Sequence, residues 1–251
     1  KRSRLKKRQK SERTEKRTGT LREKLVLIDG HSILNRAFYG IPMLTNHEGI
    51  HTNAIYGFIN IMLRAMEDEK SDHIAVAFDL KAPTFRHKMY EMYKGTRKPM
   101  PAELHEQVPV IKEILASMNI PVITLEGYEA DDILGTVGKK AQSLGYNVVI
   151  LSGDRDLLQL ADEHIKIRLP KTIKGRTEIE NYYPEDVMEK YMATPSEFID
   201  LKALMGDSSD NIPGVPGIGE KTAMSIISKY HSIENAYEHV EELTPAKAKN
   251  S

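Results

Sequence analysis

Leu25-Val26-Leu27-Ile28-Asp29-Gly30 places four consecutive apolar residues directly before an acid and a glycine. A run that is apolar at every position, rather than at every second one, fits a strand buried on both faces. The pattern returns in Ile74 to Asp79, Pro121 to Leu125 and Val148 to Leu151. Between these runs apolar residues fall at helical spacing: Ile55, Ile59, Met62, Leu63 and Met66, then Val110, Ile111, Ile114 and Leu115, then Ile133, Leu134, Val137 and Ala141. Strands alternating with helices predict an α/β fold with a mostly parallel central sheet flanked by helices. Ile165 to Leu169 and Thr172 to Ile179, with Lys174-Gly175 between them, fit a hairpin at the sheet edge. From Pro184 onward the pattern is helical, punctuated by Pro213, Gly214, Pro216, Gly217 and Gly219.

The 251 residues include no Cys and no Trp, and 40% are hydrophobic. These values exclude an all-polar disordered chain, a disulfide-stapled secreted domain and a cysteine-ligated zinc or iron-sulfur protein. No apolar run approaches the roughly 20 residues that a membrane-spanning helix needs, so a soluble, cytoplasmic protein without membrane contact is expected. The balance of 36 Lys+Arg against 36 Asp+Glu conceals two unlike parts. Residues 1–24 hold 12 basic and 3 acidic residues, with only Leu5 and Leu21 as large apolar ones, leaving 24 basic and 33 acidic residues for the rest. The expected organisation is a disordered basic tail over 1–24, an α/β core over 25–180 and a helical part over 181–251. The missing initiator Met suggests a piece of something longer.

Nine acids stand in short polar breaks beside the apolar runs: Asp29, Asp79, Glu129, Asp131, Asp132, Asp154, Asp156, Asp207 and Asp210. Singly, each reads equally as a helix cap or a turn residue. Jointly they carry more, because ligands of open parallel sheets gather outside the carboxyl ends of the strands. Carboxylates crowded there cannot all ionise at pH 7 without cations between them. Oxygen-only donors point to Mg²⁺ or Mn²⁺ rather than zinc. Two such ions about 4 Å apart are a device for phosphodiester cleavage, which makes a nucleic acid the expected substrate.

Lys81, Arg86, His87, Lys88, Lys94, Arg97 and Lys98 alternate with Phe85, Tyr90 and Tyr93 directly after the strand ending at Asp79. Basic groups suit phosphate and aromatic rings can stack on unpaired bases; an amphipathic surface helix is the plain alternative. Ile212 to Ala223 reads as a glycine-bearing turn opening a helix, whose amides would face an anion such as a duplex phosphate. A glycine-capped turn between two helices is the alternative there.

Taken together, Leu27-Ile-Asp-Gly-His31, Ala77-Phe-Asp79, Phe85-Arg-His87, Tyr93-Lys-Gly-Thr-Arg97, Gly127-Tyr-Glu-Ala-Asp-Asp132, Ser152-Gly-Asp-Arg-Asp156, Gly206-Asp-Ser-Ser-Asp-Asn211 and Gly217-Ile-Gly-Glu-Lys-Thr-Ala223 resemble the flap endonuclease family, in the form of the 5′-nuclease (5′-3′ exonuclease) domains of bacterial DNA polymerase I. The resemblance runs from about Leu25 to about Leu243. It implies a PIN-like 5′-nuclease fold, a helical arch over about 81–105 and a helix-hairpin-helix over about 204–229. It also implies two Mg²⁺ (or Mn²⁺), one among Asp29, Asp79, Glu129, Asp131 and Asp132 and one among Asp154, Asp156, Asp207 and Asp210. By the same resemblance, Lys94 and Arg86 would take the catalytic positions. Tyr93 would stack on a base, Arg97 would contact phosphate, and Gly214, Gly217, Gly219, Lys221 and Thr222 would hold duplex DNA, with a monovalent cation such as K⁺ at that turn. The implied substrates are branched, flapped or nicked duplex DNA and RNA primers, met by a monomer near the bacterial nucleoid. A polymerase domain in the same parent chain and a freestanding exonuclease IX-like protein are both compatible with the motifs. So, from other classes, are a branch-binding module that does not cut and a PIN-type ribonuclease, although the latter does not explain the turn at Gly214 to Ala223.

Overall fold

The computed structural model describes residues 22–173 and 176–243. The Leu25 run forms β1 (Lys24–Asp29), and the related runs form β2 (His73–Ala77), β3 (Val122–Ile123) and β4 (Asn147–Leu151). The expected hairpin is β5 (Ile165–Ile173) with β6 (Arg176–Tyr182); its tip, Lys174-Gly175, lies outside the described residues. So do residues 1–21 of the basic tail and residues 244–251. One sheet results, in the order β3-β2-β1-β4-β5-β6, parallel throughout except for the antiparallel β5–β6 pair.

Successive residues of a strand face opposite sides, so the unbroken apolar runs supply two cores. On one face Val26, Ile28, Val76, Val149 and Leu151 meet α1 (Gly30–Gly40), α2 (Asn53–Glu69) and α5 (Gln107–Ser117). Within α2, Ala54, Phe58, Met62 and Ala65 form the buried stripe that helical spacing anticipates. On the other face Leu27, Ala75, Val148, Ile150, Ile165 and Ile167 meet α6 (Ala130–Ser143). That second core continues into α7 (Pro184–Tyr191), α8 (Glu197–Met205), α9 (Glu220–Tyr230) and α10 (Ile233–Glu238), so the helical part shares a core with the sheet. Each fully buried Leu, Ile or Phe contributes on the order of 1.5–3 kcal/mol here.

Polar residues of β5 point to the first face. Lys166 and Arg168 both meet Glu69 at the end of α2, at 2.6 and 2.8 Å, and Arg168 also reaches Asp68 at 2.8 Å. Glu69 and Arg168 are buried, and the network fastens the end of α2 to the sheet.

Residues 81–105, expected as a helical arch, hold two short helices rather than one continuous helix. They fold as α3 (Phe85–Met89), turns over 91–96, a stretch without regular structure and α4 (Ala102–His105). Gly95, Pro99 and Pro101 account for this, since glycine weakens and proline terminates a continuous helix. The predicted second strand also stops earlier, leaving Asp79 two residues beyond Ala77. Among the described residues no helix is long and apolar enough to cross a membrane.

Candidate active site

Asp29 ends β1 and caps α1: its Oδ1 accepts the Ser32 N–H at 3.0 Å and its Oδ2 accepts the Ser152 hydroxyl at 2.8 Å. Burial pushes its carboxyl up to about 6; the two hydrogen bonds pull against that, and Asp79 and Asp154 add to it. Asp79 accepts the first amide of α6, from Ala130, at 2.7 Å, and lies 3.3 Å from His31. Its burial would raise the pKa, but His31, that amide and Lys94 together hold it below the ordinary value. Asp131, in the first turn of α6, has its Oδ1 buried with no hydrogen-bond partner. Burial, then Asp29, Asp154 and Asp79, push its carboxyl well above the usual range.

The turn after β4 brings Asp154 and Asp156. Asp154 Oδ1 accepts the Asp156 N–H at 2.8 Å, and the Asp154 N–H donates to Ser152 Oγ at 3.0 Å. Asp207 follows α8. The Lys202 ammonium lies 2.9 Å from Asp156 and 2.8 Å from Asp207, tying these two together. Burial and Asp154 raise Asp156, while Lys202 and Ser209 overcome burial at Asp207 and bring it down to about 2.

Asp29, Asp79, Asp131, Asp154, Asp156 and Asp207 thus line one open cleft of ≈440 Å³, together with Lys94, Arg97 and Lys202. The other three predicted acids are placed behind it. Glu129 caps α6 and is buried, with Lys94 Nζ at 2.7 Å; Asp132 completes the capping box through the Glu129 N–H and is gripped by both Arg86 nitrogens at 2.7 and 2.8 Å. Asp210 pairs with Arg97. For Glu129 and Asp132 the helix-cap reading holds, and both carboxylates are engaged by basic side chains rather than by the cleft.

Tyr93, expected to stack on a base, is held inside the protein here. Its ring is buried, and its hydroxyl lies 2.9 Å from both Glu129 Oε2 and Asp210 Oδ2, so a single proton is shared between two carboxylates. Of the neighbouring aromatic residues, Phe85, Tyr90 and Tyr128 are exposed. Around Tyr93 the 81–105 segment docks on the loop after α8: the Lys94 N–H donates to the Asp210 carbonyl at 2.8 Å and the Asn211 amide to the Met92 carbonyl at 2.8 Å. Both loops are strained at the junction, with Lys94 at φ 55° and Asn211 at φ 57°.

In the glycine turn, β7 (Gly206–Asp207) pairs with β8 (Ile212–Pro213), and Gly214 follows. A Cβ on Gly214 would stand 2.3 Å from the Met205 backbone, so close packing explains this glycine. Gly217 takes φ 81°, Gly219 caps α9, and Lys221 and Thr222 lie in its first turn, ahead of the Ala223 N–H that bonds back to Gly219.

Among the described residues no three His, Asp or Glu side chains converge as a finished metal site; the acids face a shared space. The set nonetheless fits a hard divalent cation. Every donor is oxygen, Asp131 Oδ1 is buried unpaired, and Asp29 and Asp131 are both pushed up, by burial first and also by neighbouring carboxylates. Sequence reasoning missed Ser32, Ser152 and Lys202. Ser152 stood inside a quoted motif without a role, and no local pattern marks Lys202.

Comparison with known proteins gives a consistent result. Residues 24–192 match the family described as 5′-3′ exonuclease, N-terminal resolvase-like domain, and residues 193–251 match 5′-3′ exonuclease, C-terminal SAM fold. The chain is 50% identical over 230 residues to DNA polymerase I of Bacillus subtilis, covering 92% of this chain and 26% of that protein. DNA polymerase I of Mycobacterium leprae is 42% identical over 219 residues, covering 86% and 24%. The chain therefore spans about a quarter of the length of these curated relatives. Among solved structures, T5 5′-exonuclease with bound zinc superposes at TM-score 0.70 with 24% identity, over 91% of this chain and 83% of that one. The catalytic core of Rad2 with DNA substrate superposes at 0.56 with 17% identity, over 91% and 68%. These two similarities establish the shared fold.

Proposed function

Since the chain belongs to the 5′-3′ exonuclease family, we propose that its acid-lined cleft hydrolyses phosphodiester bonds at 5′ flaps and nicks of duplex DNA, removing flaps and RNA primers. One observation carries this reading: six carboxylates from β1, the β2 end, α6, the β4 turn and the loop after α8 surround one cleft beside Lys94. Asp29, Asp79 and Asp131 on one side and Asp154, Asp156 and Asp207 on the other would hold two Mg²⁺ or Mn²⁺. Glu129, Asp132 and Asp210 hold Lys94, Arg86, Arg97 and Tyr93 in place, and Glu129 and Asp210 reach the ions only if those partners move. When bound, the cations polarise the phosphate and lower the pKa of water.

The chain's own groups do the rest. Lys94 Nζ lies 2.7 Å from Glu129 at the cleft and can transfer to a phosphate oxygen, where it would stabilise developing charge. Arg86 and Arg97 approach from the same segment and suit the phosphates of the 5′ strand. Tyr93 becomes available for stacking only if the segment lifts. The first turn of α9, with Gly217, Gly219, Lys221 and Thr222, offers amides to duplex phosphate, and this turn would also hold a monovalent cation such as K⁺. We assign the parent protein a polymerase portion, on the strength of its curated relatives, and place it as a monomer in the cytoplasm at the nucleoid.

Single-turnover cleavage of a 5′-labelled flap duplex tests the reading. Mg²⁺-dependent release of short products near the junction, lost in Asp131→Ala and Asp154→Ala with DNA binding kept, is expected. Full activity in either variant would overturn it.

A further inference from the structure

Ser152 ends the β4 run, is fully buried, and stands where the two groups of cleft acids meet. Its hydroxyl donates to Asp29 Oδ2 at 2.8 Å and accepts the Asp154 N–H at 3.0 Å, so one side chain spans an acid from each group. Its own amide donates to the Arg168 carbonyl at 3.2 Å, and Arg168 is anchored on Glu69 and Asp68. A second hydroxyl closes the arrangement from α1. Ser32 Oγ accepts the Gly153 N–H at 2.8 Å, while the Ser32 N–H holds Asp29 Oδ1 at 3.0 Å. A Cβ at position 153 would stand 2.8 Å from Ser32 Oγ, so a side chain there would displace the hydroxyl that holds the turn to α1.

Both oxygens of Asp29 and the backbone of Asp154 are thereby fixed by two serines, and neither serine brings charge into the cleft. We propose that Ser152, assisted by Ser32, is a positioning residue that sets the separation of Asp29 and Asp154, and with it the affinity of the cleft for divalent cations. The inference rests on the cation-holding role assigned to the cleft. Hydrogen-bonding partners of metal ligands contribute about 10- to 100-fold to metal affinity. Thr keeps the hydroxyl, whereas Ala removes the donor to Asp29 and leaves the Asp154 amide unpaired.

The test is Mn²⁺ binding without DNA, followed by electron paramagnetic resonance on the full 251-residue chain, for wild type, Ser152→Ala, Ser152→Thr and Ser32→Ala. Ser152→Ala is expected to weaken Mn²⁺ about tenfold. Ser152→Thr should restore affinity to within about threefold of wild type, and Ser32→Ala, at a less buried site, should show a smaller loss in the same direction. The Mg²⁺ concentration for half-maximal flap cleavage should rise in parallel, with the rate recovering at saturating Mg²⁺. Unchanged Mn²⁺ affinity in a folded Ser152→Ala overturns the proposal, as does equal loss in Ala and Thr. Should Ser152→Ala fail to fold, Ser32→Ala decides: unchanged affinity there overturns it. Wild type that binds no Mn²⁺ would instead remove the cation role of the cleft itself.

Discussion

Asp29→Asn should make the protein more stable while removing its activity. In the cleft the Asp29 carboxyl is raised from 3.8 to about 6, chiefly by burial. A carboxyl with a raised folded-state pKa holds its proton more tightly folded than unfolded, so it favours the folded state at low pH. That advantage fades as pH climbs from about 4, and above about 6 the folded state carries the whole cost of a buried charge. At about 1.4 kcal/mol per pH unit, the cost approaches about 3 kcal/mol at pH 8 and about half that at pH 5. Asn keeps an acceptor for the Ser32 amide, and the Ser152 hydroxyl can turn to accept from its NH₂. Urea unfolding in EDTA, followed by circular dichroism, should therefore show Asp29→Asn stabilised by up to about 3 kcal/mol at pH 8 and less at pH 5. Mg²⁺ should stabilise the wild type at pH 8, by about 2.7 kcal/mol at a hundredfold excess over its dissociation constant, and the variant much less. An Asn variant less stable than wild type at pH 8 in EDTA, or a gain independent of pH, would refute the electrostatic account.

Tyr93→Phe removes a hydroxyl shared by Glu129 and Asp210 and should cost about 1.5–3 kcal/mol, read by urea unfolding, with faster proteolysis between residues 90 and 98. Gly206→Ala should cost more than about 3 kcal/mol, because Gly206 sits at φ 70° and ψ −176° and its Cβ would stand 2.1 Å from the Gly214 nitrogen. A loss below about 1 kcal/mol in the unfolding midpoint would contradict that packing. Glu69→Leu leaves Arg168 and Lys166 without their buried partner and should cost about 3–5 kcal/mol, measured the same way, whereas a neutral result would show that water reaches both cations.

Burial on both faces is written into β1 and β4 as unbroken apolar runs, which is why a mostly parallel sheet is legible in the sequence, although the order of its strands is not. Asp29, Asp79 and Asp154 are legible for the same reason, since they stand where those runs stop, whereas Glu129, Asp131 and Asp132 are marked by the start of a helix. Division of labour among the acids is not legible, because it depends on partners remote in sequence. Glu129 meets Lys94 35 positions away, and Asp210 meets Tyr93 117 positions away. Asp156 and Asp207 are joined by Lys202, which sits on an ordinary helical turn. Tyr93 shows the limit in the other direction: an aromatic among basic residues reads as a stacking ring, and only the closure of the segment on the loop after α8 shows it buried. The serines are silent for a simpler reason, since a hydroxyl in a turn has many local uses and only the register of β1 against β4 selects one.

The docking of residues 85–97 on Glu129, Asp132 and Asp210 also bears on how binding responds to salt. Lys94, Arg86 and Arg97 each already hold a carboxylate, so an arriving phosphate displaces an anion of the protein rather than a solvent ion. Each such contact is an exchange of partners. The head groups are already partly stripped of water, and few counterions are released at these three positions. The dependence of DNA affinity on salt should accordingly be shallower than the basic residues touching phosphate would suggest, with most of its slope coming from lysines such as Lys221 that hold no acid among the described residues.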